Sequence, residues 1–274
     1  MSVDHYENFP VASLVLPRDL RQPVSTIYRY ARHADDLADE GPMDADERLR
    51  RLDELGRRTA AAFAGEIQGD PLLDRLAAVV AQWQLPQQPF FDLLDAFTQD
   101  VTQTRYPDYA TLLEYCRRSA NPVGRLLLAL YRVDDDRARE QSDAVCTALQ
   151  LINFCQDVAI DWHKGRVYLP QDECRRHGID PQDLPRASGS SSWAELMRFQ
   201  RDRAAALLRR GEPLAERLGG RIGWELRLIA QGGLRILEKL DAVGNDVFRH
   251  RPVLRPWDWV RIGARAAGTW FRVP

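Results

Sequence analysis

Lysine is nearly missing from this sequence, occurring only at Lys164 and Lys239, so arginine carries almost all of the positive charge. Guanidinium groups meet planar oxyanions through paired hydrogen bonds, and the bias therefore favours oxyanion contacts, although a codon preference would give the same count. Cysteine is scarce as well. Cys116, Cys146, Cys155 and Cys174 form neither a CxxC pair nor a His/Cys metal spacing. That argues against a disulfide framework and leaves reduced, buried thiols as the expectation. An excess of charge of either sign is missing too: 38 basic residues stand against 40 acidic ones, which gives no reason to expect a nucleic acid partner. No stretch approaches the roughly 18 apolar residues of a membrane span. The opening MSVDHYENFP lacks a basic segment followed by an apolar run, so a cytoplasmic protein is expected. Neither GxGxxG nor GxxxxGK[ST] occurs and no internal repeat is found, which disfavours P-loop chemistry and dependence on a nicotinamide such as NADPH.

What is present is helical periodicity. The chain is 274 residues long and 45% apolar, enough for a sizeable core and near the upper limit for one domain. Apolar residues recur at helical spacing, as at Phe90, Leu93, Leu94 and Phe97, and sustained alternation is hard to find, so the fold class is read as all-α. The pattern predicts helices over 19–40, 44–65, 71–83, 87–103, 109–132, 137–162, 192–218, 220–245 and 255–271. Prolines fall between several of them, where helices break. The longest irregular stretch is 163–191, a length typical of lids or disordered segments.

Two acidic stripes carry the chemistry. In Arg32-His33-Ala34-Asp35-Asp36-Leu37-Ala38-Asp39, helical geometry puts Asp35 and Asp39 on one face with Arg32 one turn before. Alone, this reads equally as a solvated acidic face. The second stripe, Gln150, Asn153, Asp157 and Asp161, is spaced 3, 4 and 4 along an otherwise apolar helix, which is expected to be buried. A buried carboxylate pair is costly unless metal-bound or paired, so the stripe either lines a polar cavity or joins a satisfied network with arginines. Carboxylates and an amide oxygen are hard ligands that suit Mg2+, which usually completes its shell with water and phosphate oxygens. The expected ligands are Asp35, Asp36, Asp39, Asn153, Asp157 and Asp161. A diphosphate is the inferred partner, with Arg32, Arg105 and Arg166 as candidates to hold it.

These residues resemble the squalene/phytoene synthase family, the head-to-head branch of isoprenoid synthases. The likeness covers about residues 5–255. It rests on Asn8-Phe9-Pro10-Val11-Ala12-Ser13, the 32–39 block, Asp100 to Tyr106, Tyr115 to Gly124, Gln150 to Asp161, Gly165-Arg166-Val167-Tyr168-Leu169-Pro170 and Asp246 to Arg251. The resemblance implies a single domain over 1–274 with a central cavity, and catalysis through Asp35, Asp36, Asp39, Asp157 and Asp161 with magnesium. It also implies that Ser13, Arg32, Tyr115, Gln150 and Arg251 contact diphosphate or line the reaction channel. Two departures stand out: Gln156 where an arginine commonly precedes the second-motif aspartate, and Leu234 where a tyrosine is common. Together with HYENFPVAS, SANPVGRLLL and QDVAIDWHKGRVYLP, they resemble the water-capturing bacterial branch of hopanoid pathways. That branch converts presqualene diphosphate and water to hydroxysqualene and diphosphate without a nicotinamide.

Two other readings stay open: a sister enzyme joining two prenyl diphosphates to presqualene diphosphate, squalene or phytoene, and a non-catalytic scaffold of the same fold. The C-terminal segment 255–274 mixes Trp257, Trp259, Trp270 and Phe271 with arginines. It either lies peripherally in a membrane interface or packs on the protein's own body. Association with other pathway enzymes is left open as well.

Overall fold

Apolar spacing translates into helices along the whole of the computed structural model, which describes residues 15–270, the side chains of Thr269 and Trp270 excepted. Ser13, Phe271 and the first and last residues of the chain lie outside the described residues. The helices are α1 (Arg18–Asp39), α2 (Ala45–Phe63), α3 (Pro71–Trp83), α4 (Gln88–Thr102), α5 (Tyr109–Ser119), α6 (Asn121–Leu130) and α7 (Asp136–Gln156). They continue with α8 (Val158–His163), α9 (Gln171–Arg176), α10 (Leu184–Ala187), α11 (Ser191–Gly211), α12 (Pro213–Leu218), α13 (Gly220–Ala242) and α14 (Pro256–Trp270). No strand occurs among the described residues; an isolated parallel bridge joins Arg105 to Val167.

Three expected helices are each divided in two. The 109–132 and 192–218 segments break just before Pro122 and Pro213, whose missing N–H groups suit a helix start but not a helix interior. The 137–162 segment breaks at Asp157, whose φ of -106° and ψ of 13° leave the helical range. No proline marks that break. The 163–191 stretch is neither bare loop nor uniformly exposed: it holds α9 and α10 and buries Val167, Leu169, Cys174, Ile179 and Leu184.

The described residues fall into two compact units. One contains 15–103 and 115–143. Here Tyr30 is fully buried, meets Phe90 edge-on at 5.6 Å between ring centroids and pairs its hydroxyl with Thr59 Oγ1 at 3.1 Å. Leu52, Leu73, Leu76 and Leu93 fill the same core. Asp44 and Asp70 cap α2 and α3 by accepting from the Glu47 and Leu72 N–H groups, each cap contributing about 1 kcal/mol.

The other unit contains 104–114 and 144–270. Trp193 is its largest fully buried side chain and donates from Nε1 to the Asn245 carbonyl at 2.8 Å. At Gly233, a Cβ would stand 3.1 Å from both Ile152 Cδ1 and Leu149 Cδ2 and 3.3 Å from Leu208 Cδ2, so α13 packs on α7 and α11 at close range. Glu173, only 5% exposed at its side chain, is held by Arg203 and Gln200, and the Arg203 guanidinium lies 3.6 Å over the Tyr109 ring. All four cysteines are free of disulfides, and burial pushes the Cys116, Cys155 and Cys174 thiols up to about 12.

Candidate active site

The first acidic stripe lies at the C-terminal end of α1. Arg32 reaches forward along the helix, its Nη1 standing 2.9 Å from Asp35 Oδ2 and its Nη2 2.8 Å from Asp36 Oδ1. Its Nε is buried and has no hydrogen-bond partner. Burial, then Asp39, pushes the Asp35 carboxyl up to about 6 against the opposing pull of Arg32, and Asp100 and Asp36 add to the rise. The cluster thus carries more negative charge than its arginine neutralises.

Asp100 is a residue the sequence reading left out of the site. It stands on α4, buried, and accepts a 2.6 Å hydrogen bond from the Tyr115 hydroxyl. A signal was available: Asp100 follows Leu93 and Phe97 at helical spacing, so a carboxylate continues an apolar face. Tyr115 is thereby linked to the Asp35 group through Asp100.

The second stripe runs from α7 across the break into α8. The apolar residues around it, Leu151, Ile152, Phe154, Cys155 and Val158, are buried as expected, while along the stripe itself Asn153 is exposed, Gln150 and Asp161 are half-buried and Asp157 is buried. Asp157, withdrawn from solvent, takes a cation. Arg251 donates Nε to Asp157 Oδ1 at 2.5 Å and Nη2 to Oδ2 at 3.2 Å. The arginine network weighed as one alternative for this stripe is therefore present at Asp157. Next to it, the buried Gln156 donates Nε2 to the Pro252 carbonyl at 2.5 Å, so two consecutive residues at the helix break grip two consecutive residues of the 249–255 segment.

Arg105 and Arg166 flank the same stripe. The Arg105 guanidinium donates to the carbonyls of Thr104 and Gly165 and stands 5.9 Å from the Trp162 ring. The Arg166 N–H donates to the Asp161 carbonyl at 2.7 Å. Tyr168 stacks on Phe154 at 4.0 Å and on Tyr106 at 5.6 Å between centroids, which fixes the Gly165 to Pro170 segment against α7. The structure thus brings together Arg32, Asp35 and Asp36 with Asp39 and Asp100 close by and links Tyr115 to that group; in the other unit it pairs the Asp157 and Arg251 side chains, and Asp161 meets Arg166 through the backbone.

Among the described residues, no three Asp, Glu, His or Cys side chains converge tightly enough to enclose an ion. The donor chemistry nonetheless fits a hard divalent cation. Burial together with the neighbouring Asp39, Asp100 and Asp36 raises Asp35, which a bound cation would relieve, and the orphaned Arg32 Nε has the character of a group that meets an anionic oxygen.

The squalene/phytoene synthase family model matches residues 3–258. A hydroxysqualene synthase of Rhodopseudomonas palustris is 34% identical over 256 residues, covering 93% of this chain and 85% of the relative. A 15-cis-phytoene synthase of Synechococcus elongatus is 30% identical over 266 residues, covering 92% of this chain and 85% of that protein. Among solved structures, the squalene synthase HpnC of Alicyclobacillus acidocaldarius superposes with a TM-score of 0.82 at 35% identity, covering 89% of this chain and 91% of the other.

Proposed function

Since the chain belongs to the squalene/phytoene synthase family, we propose that it is a hydroxysqualene synthase, converting presqualene diphosphate and water to hydroxysqualene and diphosphate. The observation that carries this reading is the 34% identity to a hydroxysqualene synthase along 93% of the chain. Gln156, standing where an arginine is common, supports the same branch. The 1–274 chain is taken as one functional domain of the head-to-head type.

In this proposal Asp35, Asp36 and Asp39 hold magnesium, as do Asn153, Asp157 and Asp161. When bound, the ion supplies positive charge to the departing diphosphate oxygens and so eases ionisation. Arg32, Arg105, Arg166 and Arg251 carry the chain's own share of that charge, with Ser13 and Gln150 as further polar contacts. The C–O bond of the substrate breaks with its electron pair leaving on diphosphate, and the cyclopropylcarbinyl cation that remains rearranges with opening of the ring. Water adds its oxygen to the rearranged cation and loses a proton, giving the alcohol. Tyr115 is positioned by Asp100, which sets the orientation of its ring toward a passing cation. No nicotinamide takes part in the balanced equation.

The experiment is direct. Purified protein with magnesium and presqualene diphosphate should form hydroxysqualene at the same rate with and without NADPH, with oxygen from labelled water in the alcohol. Squalene formed only with the reduced nicotinamide would replace the quenching step. Consumption of farnesyl diphosphate alone would favour the sister-enzyme reading, which the phytoene synthase relatives also represent.

Peripheral membrane contact belongs to the same proposal, because substrate and product both carry long hydrocarbon chains. Among the described residues no helix is long and apolar enough to cross a membrane.

A further inference from the structure

The unit that carries Asp157 also has a cleft of about 530 Å³ to which Arg235, Lys239, Arg249, His250, Arg251 and Arg255 all contribute. Its inner cations are already neutralised. Arg235 and Lys239 share Asp258 at 2.7 and 2.6 Å, and Arg251 is held by Asp157. The outer ones are less so. Arg249 is 80% exposed and touches Asp246 only at 3.5 Å, and the exposed Arg255 side chain makes no ion pair among the described residues. Among the described residues the rim of the cleft therefore presents Arg255 with no ion pair and Arg249 with a single long pair to Asp246.

Directly after this rim comes α14, which is amphipathic in an unusual sense. Asp258, Ile262 and Ala266 point inward and are buried. The outward side presents Trp257, Val260, Arg261, Ala264 and Gly268, with Trp257 84% and Val260 64% exposed. Val253, 38% exposed, extends the apolar surface back to the cleft. An exposed tryptophan on an apolar helix face, bordered by exposed arginines with little counter-charge, is the pattern of a helix that lies in the plane of a charged bilayer surface. A soluble anion has use for the arginines but none for Trp257 and Val260.

The geometry points to an acidic phospholipid docking surface, with the headgroup phosphate taken by the cleft rim at Arg249 and Arg255 and the Trp257/Val260 face of α14 lying in the interface. The occupant is a bilayer carrying anionic lipid. This inference rests on the peripheral-membrane part of the proposed function and not on the reaction assigned.

Flotation of the full chain with vesicles tests it. Vesicles of phosphatidylcholine containing about one-third phosphatidylglycerol should retain the protein at least about tenfold better than phosphatidylcholine alone, and salt should weaken the retention. Arg249→Gln combined with Arg255→Gln should lower binding to the acidic vesicles by about tenfold or more. Trp257→Ser should lower it as well, and both variants should keep wild-type turnover of detergent-solubilised substrate. Equal binding to neutral and acidic vesicles would overturn the role of the cleft while sustaining membrane contact; binding to neither would overturn both. If inorganic phosphate at constant ionic strength released the protein and Trp257→Ser bound undiminished, the cleft would be a site for soluble anions and the inference would fail.

Discussion

Replacing Asp35 with asparagine keeps its volume and removes its charge, and the same holds for Asp157, yet the two positions differ in what they leave behind. Asp35 sits among like charges, whereas Asp157 is the partner of Arg251. Both substitutions should lower turnover by at least about a hundredfold while far-UV circular dichroism stays helical. Only Asp157→Asn should also destabilise, by about 2 kcal/mol in urea unfolding, because it removes the carboxylate charge that holds the partly buried Arg251. Wild-type turnover in either variant would remove that aspartate from the chemistry. Gln156→Leu offers a subtler case. It takes away the donor to a buried carbonyl, so a loss of about 1–3 kcal/mol is expected, together with a rise in KM if the 251–253 segment positions Arg251.

At the scale of elements, α14 is fastened to α13 by Asp258, whose side chain is 6% exposed. Burial on its own would raise this carboxyl, but hydrogen bonds from Lys239, the Arg255 N–H and Arg235 more than offset it and hold it well below the usual carboxylate range. A depressed carboxyl contributes stability above its unfolded value, near pH 4, and loses that contribution as the pH falls. Asp258→Asn should therefore lower stability by about 3 kcal/mol at pH 7, with the gap to wild type closing below about pH 4 in urea titrations. A gap that persisted in acid would mean that packing rather than charge fastens the helix. The α12–α13 junction is tighter still: a Cβ at Gly223 would lie 2.1 Å from the Ala215 carbonyl oxygen, and Gly223→Ala should cost at least about 2 kcal/mol.

The helices themselves were legible from apolar spacing. The 71–83 prediction coincides with α3, and the divisions before Pro122 and Pro213 could have been drawn from the prolines alone. The break at Asp157 could not, because its N–H still bonds the Asn153 carbonyl at 2.8 Å and only the dihedral angles register the change. The acidic stripes were visible as spacings. The Asp100 link to Tyr115 and the Arg251 grip on Asp157 span 15 and 94 residues, and tertiary pairings at such separations leave no periodic trace in a single chain.

For the whole molecule, a ligand that binds only the folded state raises stability by mass action, about 2.7 kcal/mol at a hundred times its Kd. Magnesium with inorganic diphosphate should raise the melting temperature of the wild-type protein by several degrees and that of Asp35→Asn much less; equal shifts would detach the first stripe from metal and diphosphate. The near balance of charge, net -2, means that such shifts would report local binding rather than relief of overall self-repulsion. The cysteines have a practical consequence. With Cys116, Cys155 and Cys174 buried and their thiols at about 12, almost none of them is thiolate at neutral pH, and thiol reagents attack the thiolate. The half-buried Cys146 on α7 is then the position a maleimide dye would reach first, so the natural sequence already offers a handle for fluorescence near the Asp157 stripe without removal of a single cysteine.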